Sequence, residues 1–313
     1  SVHAAGGAAL CPWTWPRGQR GQFNEQLAAQ HAAGIAIDAF FAEPDRLSPS
    51  VQAQQLMQSG LMPASEAMGK LPDYDTRLAT ALAQAPSVLG VAALLKNPRL
   101  APAEDYRPLI RQYGGDAATF APKYPSSLRS IPLIDAAARG HGVMNNAAEV
   151  GVIRRVPTLV LLAGALQPGL AVETLRIAAG EDELKVKLGP QGIAAVAVAG
   201  RIIPTDPHGE WWLHYSKPEL RPHLSAFTVF KNEQPAEVFK GRIVMIGYSA
   251  LGLLDNVITP IGNMPGVEVH AEAVENFIAD RLLQRPVWAR WLEAGLLVLL
   301  VLFHRRLHRL HRR

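Results

Sequence analysis

Ser249, Asp255 and His270 occur in the order that one large class of acyl-transfer hydrolases uses, with the serine just after the apolar run RIVMIG. In that chemistry the serine attacks a carbonyl, the histidine takes its proton and the acid orients the histidine. The spacing argues against it here. The tight turn that presents such a serine needs glycine two residues later, and this chain has Leu251. The acid should also come from a later strand, whereas Asp255 follows Ser249 too closely for a helix and a strand to intervene. A phosphate cradle fails as well: Gly247 and Gly252 are followed by Leu253 and Leu254 rather than Lys and Ser or Thr, and no G-x-G-x-x-G follows the strand. No HExxH, CxxC or comparable spacing supports a metal, and the single Cys11 leaves no internal disulfide. What remains is a strand opening at its carboxyl end into a Gly/Ser loop, where open α/β sheets form ligand crevices. Asp38, Ser249, Asp255 and His270 are the polar groups expected near that crevice. Each has a structural alternative: Asp38 can accept backbone N–H groups, Asp255 can brace a loop, and His270 can be a packing residue.

The flanking segments must position those groups. Phe23–Ala33 has helical spacing and stops at Gly34, before the strand-like GIAIDAFF that carries Asp38. Asp73–Ala85 has acids in its first turn and Leu78, Ala79 and Leu82 on one face, and Pro86 ends it before SVLGVAALL. This alternation predicts an α/β fold with a mostly parallel sheet and helices on both faces. Residues 96–130, rich in Pro and polar groups, read as a long excursion outside the core. QPGLAVETLRIAAG is helical, and LKVKLG, GIAAVAV, RIIPTD and EWWLHYS predict an antiparallel hairpin insertion, with Trp211 and Trp212 facing opposite ways. The strand RIVMIG then leads to a helix from about Val269, with Val274, Phe277, Ile278 and Leu282 on its apolar face. One domain with an insertion is expected.

The chain has 313 residues, 49% of them hydrophobic and 19% charged, which fits a globular fold rather than disorder. Its formal charge of +4 is local, because five arginines lie in the last ten residues. The body has no basic stripe for nucleic acid. Residues 1–9 lack the basic start and apolar run of an export signal. Near the other end, Trp291–Phe303 is almost wholly apolar, but thirteen residues make roughly 20 Å of helix against a hydrocarbon core of about 30 Å. Trp288 and Trp291 suit an interface and the Arg/His tail suits a cytoplasmic end, so a short membrane-type helix is expected, with a buried C-terminal helix as the alternative. The expected divisions are 1–12, an unstructured remnant; 13–286, an α/β domain; 287–303, the membrane-type segment; and 304–313, a basic tail.

Several segments in order resemble the type 2 CHASE domain, a sensory extracellular domain of bacterial cyclase and histidine-kinase receptors. They are WTWPRGQ, GIAIDAFFAEPD, DYDTRLATAL, GHGVMNN with GVIRRVP, IPTDPHGEWWLHY, KGRIVMIGYSALGLLDNVITP and PGVEVHAEAVENFIADRLLQRP. The resemblance implies an extracytoplasmic sensor in the inner membrane that binds an unknown small ligand, with no catalysis and no cofactor of its own. It also implies a homodimer whose signal passes through the helix from Val269 and the segment after Pro286. Departures exist. The family's leading membrane helix and first acidic strand are not found before Trp13, and Ala148, Glu149, Val150 and Gly151 stand where D-x-D-G is common. Only one short candidate membrane helix and no output domain follow, so a fragment or truncated copy is expected. The alternatives are a soluble ligand-binding or scaffold protein and a serine hydrolase using Ser249.

Overall fold

Short runs of aliphatic residues form the strands at the centre of the molecule. The computed structural model describes residues 2–3, 15–96, 108–149, 151–217, 221, 223–231, 233–235, 237–247, 256–284, 286 and 288–310. The chain runs through β1 (Val2–His3), α1 (Arg17–Ala29), β2 (Gly34–Ile37), α2 (Pro49–Gln58), α3 (Met62–Gly69), α4 (Tyr74–Ala83) and β3 (Ser87–Leu94). Next come β4 (Leu109–Tyr113), β5 (Lys123–Tyr124), β6 (Ser126–Leu128), α5 (Pro132–Asp135), β7 (Gly140–Val143), β8 (Ala147–Glu149), β9 (Val152–Pro157), β10 (Leu159–Leu162) and β11 (Ala165–Pro168). Helix α6 (Leu170–Ala178) leads to β12 (Glu183–Gly189), β13 (Gly192–Val198), β14 (Arg201–Pro204) and β15 (Glu210–Trp212). The last elements are β16 (Leu224–Ser225), α7 (Ala226–Phe230), β17 (Ile243–Gly247), β18 (Asn256–Thr259), β19 (Gly262–Pro265), α8 (Gly266–Ile278) and α9 (Ala289–Leu310).

The main sheet has parallel strands in the order β16-β1-β17-β2-β3-β7, and β6 joins the far end of β3 antiparallel. Its central strands β2, β3 and β17 are almost continuously apolar because both faces are covered. On β2 the alternation is clear. Ile35 packs with Phe23 and Leu27 of α1, and Ile37 packs with Leu78 and Leu82 of α4. Ala36 faces the other side, into the cluster containing Leu170 and Leu175 of α6 and Val267 and Val274 of α8. The expected α/β layering is therefore present, with α1 and α4 on one face and α6 and α8 on the other. The two glycines of Gly140-His141-Gly142 explain how α6 comes so close to β7. A Cβ on Gly142 would fall on the Leu170 backbone, and one on Gly140 would meet the Glu173 carboxylate.

The antiparallel insertion is also present, but wired differently from the sequence reading. β12, β13 and β14 form the expected meander. EWW, expected to continue it, pairs instead with β9 through Trp211 and Val156. Trp211 is fully buried and meets Phe277 edge-on at 6.5 Å, while Trp212 lies under the Arg155 guanidinium at 4.8 Å, so the two indoles do face opposite ways. Residues 96–130 need correction. They supply β4, parallel to β12, and β5 and β6, and bury Ala117, Ala121 and Ser126. Short edge strands whose partners lie far along the chain leave little periodicity to read. Val2–His3 likewise take a place in the sheet, between β16 and β17, in a segment expected to be unstructured.

Helix ends moved too. α1 starts at Arg17 and α8 at Gly266, each directly after a proline that presets the entry angle. Val274 and Phe277 are buried as expected, but Ile278 is 56% exposed because the helix ends there. By contact, the chain divides into Ser1–Leu282 and Leu283–Arg313. In the second unit α9 is 22 residues long, so much of the expected basic tail is helical. Among the described residues no helix is long and apolar enough to cross a membrane, because Arg and His follow directly on the apolar stretch.

Candidate functional site

The carboxyl ends of β17, β2, β3 and β7 form one edge of the main sheet. Asp38 is the first residue past β2, and its backbone N–H still continues the ladder to Ile246 O at 2.9 Å. Its neighbours Ile37 and Ala39 pack with Phe41 and Leu78. Strand alternation therefore turns Asp38 to the opposite face, the side of α6 and α8. No described residue donates a hydrogen bond or ion pair to its carboxyl group. Removal from water without compensation pushes its pKa up from 3.8 to about 7, although part of the residue still reaches solvent.

His270 belongs to the same edge. It sits in α8, is 2% exposed, and donates from Nε2 to the carbonyl of Met144 at 3.0 Å. Met144 directly follows β7, and its side chain lies over Gly90 of β3. A Cβ at Gly90 would collide with the Met144 sulfur and lie 3.1 Å from Ala39 N. Asp38, Gly90, Met144 and His270 thus form one continuous patch drawn from β2, β3, β7 and α8. With its Nε2 hydrogen committed to a main-chain carbonyl, His270 fixes the end of β7 against α8. Asn145 strengthens the same corner by exchanging two hydrogen bonds with the Ala93 backbone, at 2.7 and 2.9 Å. Ser249 and Asp255 lie outside the described residues. The strand that leads to them ends at Gly247, where a Cβ would fall on Val267 of α8.

Two polar networks were not read from sequence. On α8, Glu268, Glu272 and Asn276 repeat every fourth residue and so share one face, a signal visible in the sequence. They hold the segment after β15: Asn276 exchanges hydrogen bonds with His214 N and O, Glu272 accepts from Ser216 N, and Arg221 bridges Glu268 and Glu272. Burial raises the Glu272 pKa against the opposing pull of Ser216 and Arg221. The second network joins three of the segments quoted for the family resemblance. Arg17 of WTWPRGQ pairs with Asp75 of DYDTRL at 2.5 Å and donates to the Glu43 carbonyl. Asp45 of FFAEPD accepts from Arg17 N at 2.7 Å, and its own N–H donates to Asp75 at 3.1 Å. These residues lock α1, the chain after β2 and α4 together, so their chemistry is architectural. Arg129, Asp135 and His141 make a similar brace, in which His141 and Arg129 lower the Asp135 pKa although burial opposes it.

Among the described residues, no group of three His, Cys, Asp or Glu is placed to hold a metal ion. The edge presents a partly accessible carboxyl beside hydrogen-bonded polar groups. Compared with known proteins, the chain matches the family model of the CHASE2 domain over residues 3–304. No curated protein and no solved structure matches it.

Proposed function

The chain belongs to the CHASE2 domain family, extracellular sensory domains of signalling receptors, and from that premise we propose that it is the periplasmic sensor of a bacterial inner-membrane receptor. In this reading a small ligand enters at the carboxyl edge of the main sheet and its signal leaves through α8 and the chain beyond it. The observation that carries the ligand site is Asp38. Holding a carboxyl group largely out of water, with no partner among the described residues, costs folding free energy, which a ligand offering an N–H donor or a positive charge would recover. Ser249 and Asp255, on the chain that follows β17, would add to the same pocket.

Membrane attachment is part of the proposal. In α9 the apolar side chains from Leu292 to Phe303 are all about half exposed or more, a contiguous surface poorly suited to water. Its apolar length, roughly 20 Å, is less than a hydrocarbon core, and in this reading Trp288 and Trp291 sit at the periplasmic interface while the arginines at the other end snorkel to the cytoplasmic headgroups. A ligand acts as a signal only if it binds two receptor states unequally. The test is a chimera in which this chain replaces the sensory region of a receptor with a measurable cyclase output, challenged with a panel of small amines, amino acids and sugars. The proposal expects at least one compound to change output, and Asp38→Asn to abolish that change. Compounds that bind tightly yet never alter output would count against it.

A further inference from the structure

Helices α2 and α3 form a hairpin that contributes almost nothing to the core. Pro49 is the only buried residue of α2, and α3 has none. The two helices are held chiefly by each other: Ser65 Oγ donates to Ala53 O at 2.8 Å, and Gly69 packs beside the Ala53 methyl. At 10 and 8 residues they are shorter than the roughly 12–15 that an isolated helix needs in water. Ordering some twenty residues without burying them inside the domain brings little folding benefit, so the stabilising contact is to be sought outside. The surface offered is apolar and almost uncharged. Met57, Leu61, Met62 and Leu71 are each about half exposed, and between Leu47 and Pro72 the only charges are Glu66 and Lys70. A balanced pair of this kind gives no attraction to an anionic lipid surface or a nucleic acid.

We propose that the α2–α3 hairpin pairs with the same hairpin of a second copy of this chain, through antiparallel packing of α3 about a two-fold axis. Met62, Glu66 and Lys70 are spaced by four residues and so lie along one face of the helical turn. In a two-fold contact, residue i meets residue j and j meets i. With the axis beside Met68, Glu66 faces Lys70 of the copy twice over and Ala67 faces Gly69 of the copy. Pro63 and Ala67 are exposed and small enough to let the backbones approach. The contact is compact, so the dimer is concentration-dependent. The inference stands apart from ligand sensing: either can fail while the other holds.

The test needs no ligand: the full chain in mild detergent is followed by analytical ultracentrifugation from about 1 to about 300 µM. The expected result is a reversible dimer. Glu66→Lys and Lys70→Glu each turn two attractive pairs into repulsive ones and should weaken association about tenfold or more. Mixing these two variants should restore a dimer, now between unlike copies, as should the double exchange in one chain. An ion pair confined to one helix could not be rescued by mixing. Circular dichroism should show every variant folded, since both positions are exposed. A chain that stays monomeric throughout, a dimer indifferent to these substitutions, or single variants that mixing does not rescue would each overturn the proposal.

Discussion

Asp38 and the residues around it carry the sharpest chemistry in the molecule. Its carboxyl holds a proton to about pH 7 in the folded chain, whereas the unfolded chain releases it near the ordinary value of 3.8. Its contribution to stability is therefore fully present below about 3.8 and is lost as pH rises through 7. Asp38→Asn should remove this dependence. Urea unfolding at pH 8 should find the variant more stable by about 1–3 kcal/mol, with little difference at pH 4, the partial exposure of the side chain limiting the gain. A variant no more stable at pH 8 would mean that the carboxylate is compensated. Asp38 and His270 stand out in the sequence because each lies within or beside an apolar element where a polar group is conspicuous. It could not find the partner of Arg17, which is 58 residues away at Asp75, since nothing local marks which of several acids meets a given arginine.

At the scale of elements, α4 and α6 show two ways a sequence controls a helix. Asp73 caps α4, accepting from Thr76 N at 2.9 Å and from the Ser48 and Ser50 hydroxyls. Burial opposes its charge, but these hydrogen bonds win and lower its pKa to about 2. Its stabilisation is present above 3.8 and fades as pH falls through 2. Asp73→Ala should cost about 1 kcal/mol in urea unfolding at pH 7 and almost nothing at pH 2. Helix α6 depends instead on an absence of side chains. Gly142→Ala would place a methyl on the Leu170 backbone, which cannot move as a flexible side chain can, so a loss of about 2–3 kcal/mol in thermal or urea unfolding is expected. Gly151→Ala is the comparison: nothing lies near its Cβ position, and the only penalty there is its positive φ of 78°. The start of α4 was legible because acids at a helix start are a local signal, although Asp73 caps the helix from outside rather than opening it. The pairing of β15 with β9 was not, because an antiparallel strand can accept any partner of suitable alternation.

For the molecule as a whole, the Ser1–Leu282 unit and the α9 unit should separate in experiment as they do by contact. A chain ending at Leu282 should unfold at the same urea midpoint as the full chain, yet lose the membrane association proposed for α9. Flotation with phosphatidylglycerol-containing vesicles would measure the second effect. A truncated chain that floats as well as the full one would remove α9 from that role. The order of the main sheet belongs to this scale too, because β17, nearly last in sequence, lies between β1 and β2. Its continuous apolar run identified a buried strand, but not the neighbours beside which it would be buried.

The sequence by itself determined the α/β class, the central strands, the principal helices and the family, because each is written in local periodicity, caps, breakers or an ordered set of short segments. Only the tertiary structure decided the sheet order, the contribution of residues 96–130, the Arg17 and α8 networks, and the patch that joins Asp38 to His270. Those depend on contacts between residues far apart in the chain. Such contacts are selected by the packing of whole faces against one another, and a single segment carries no record of which distant face it will meet.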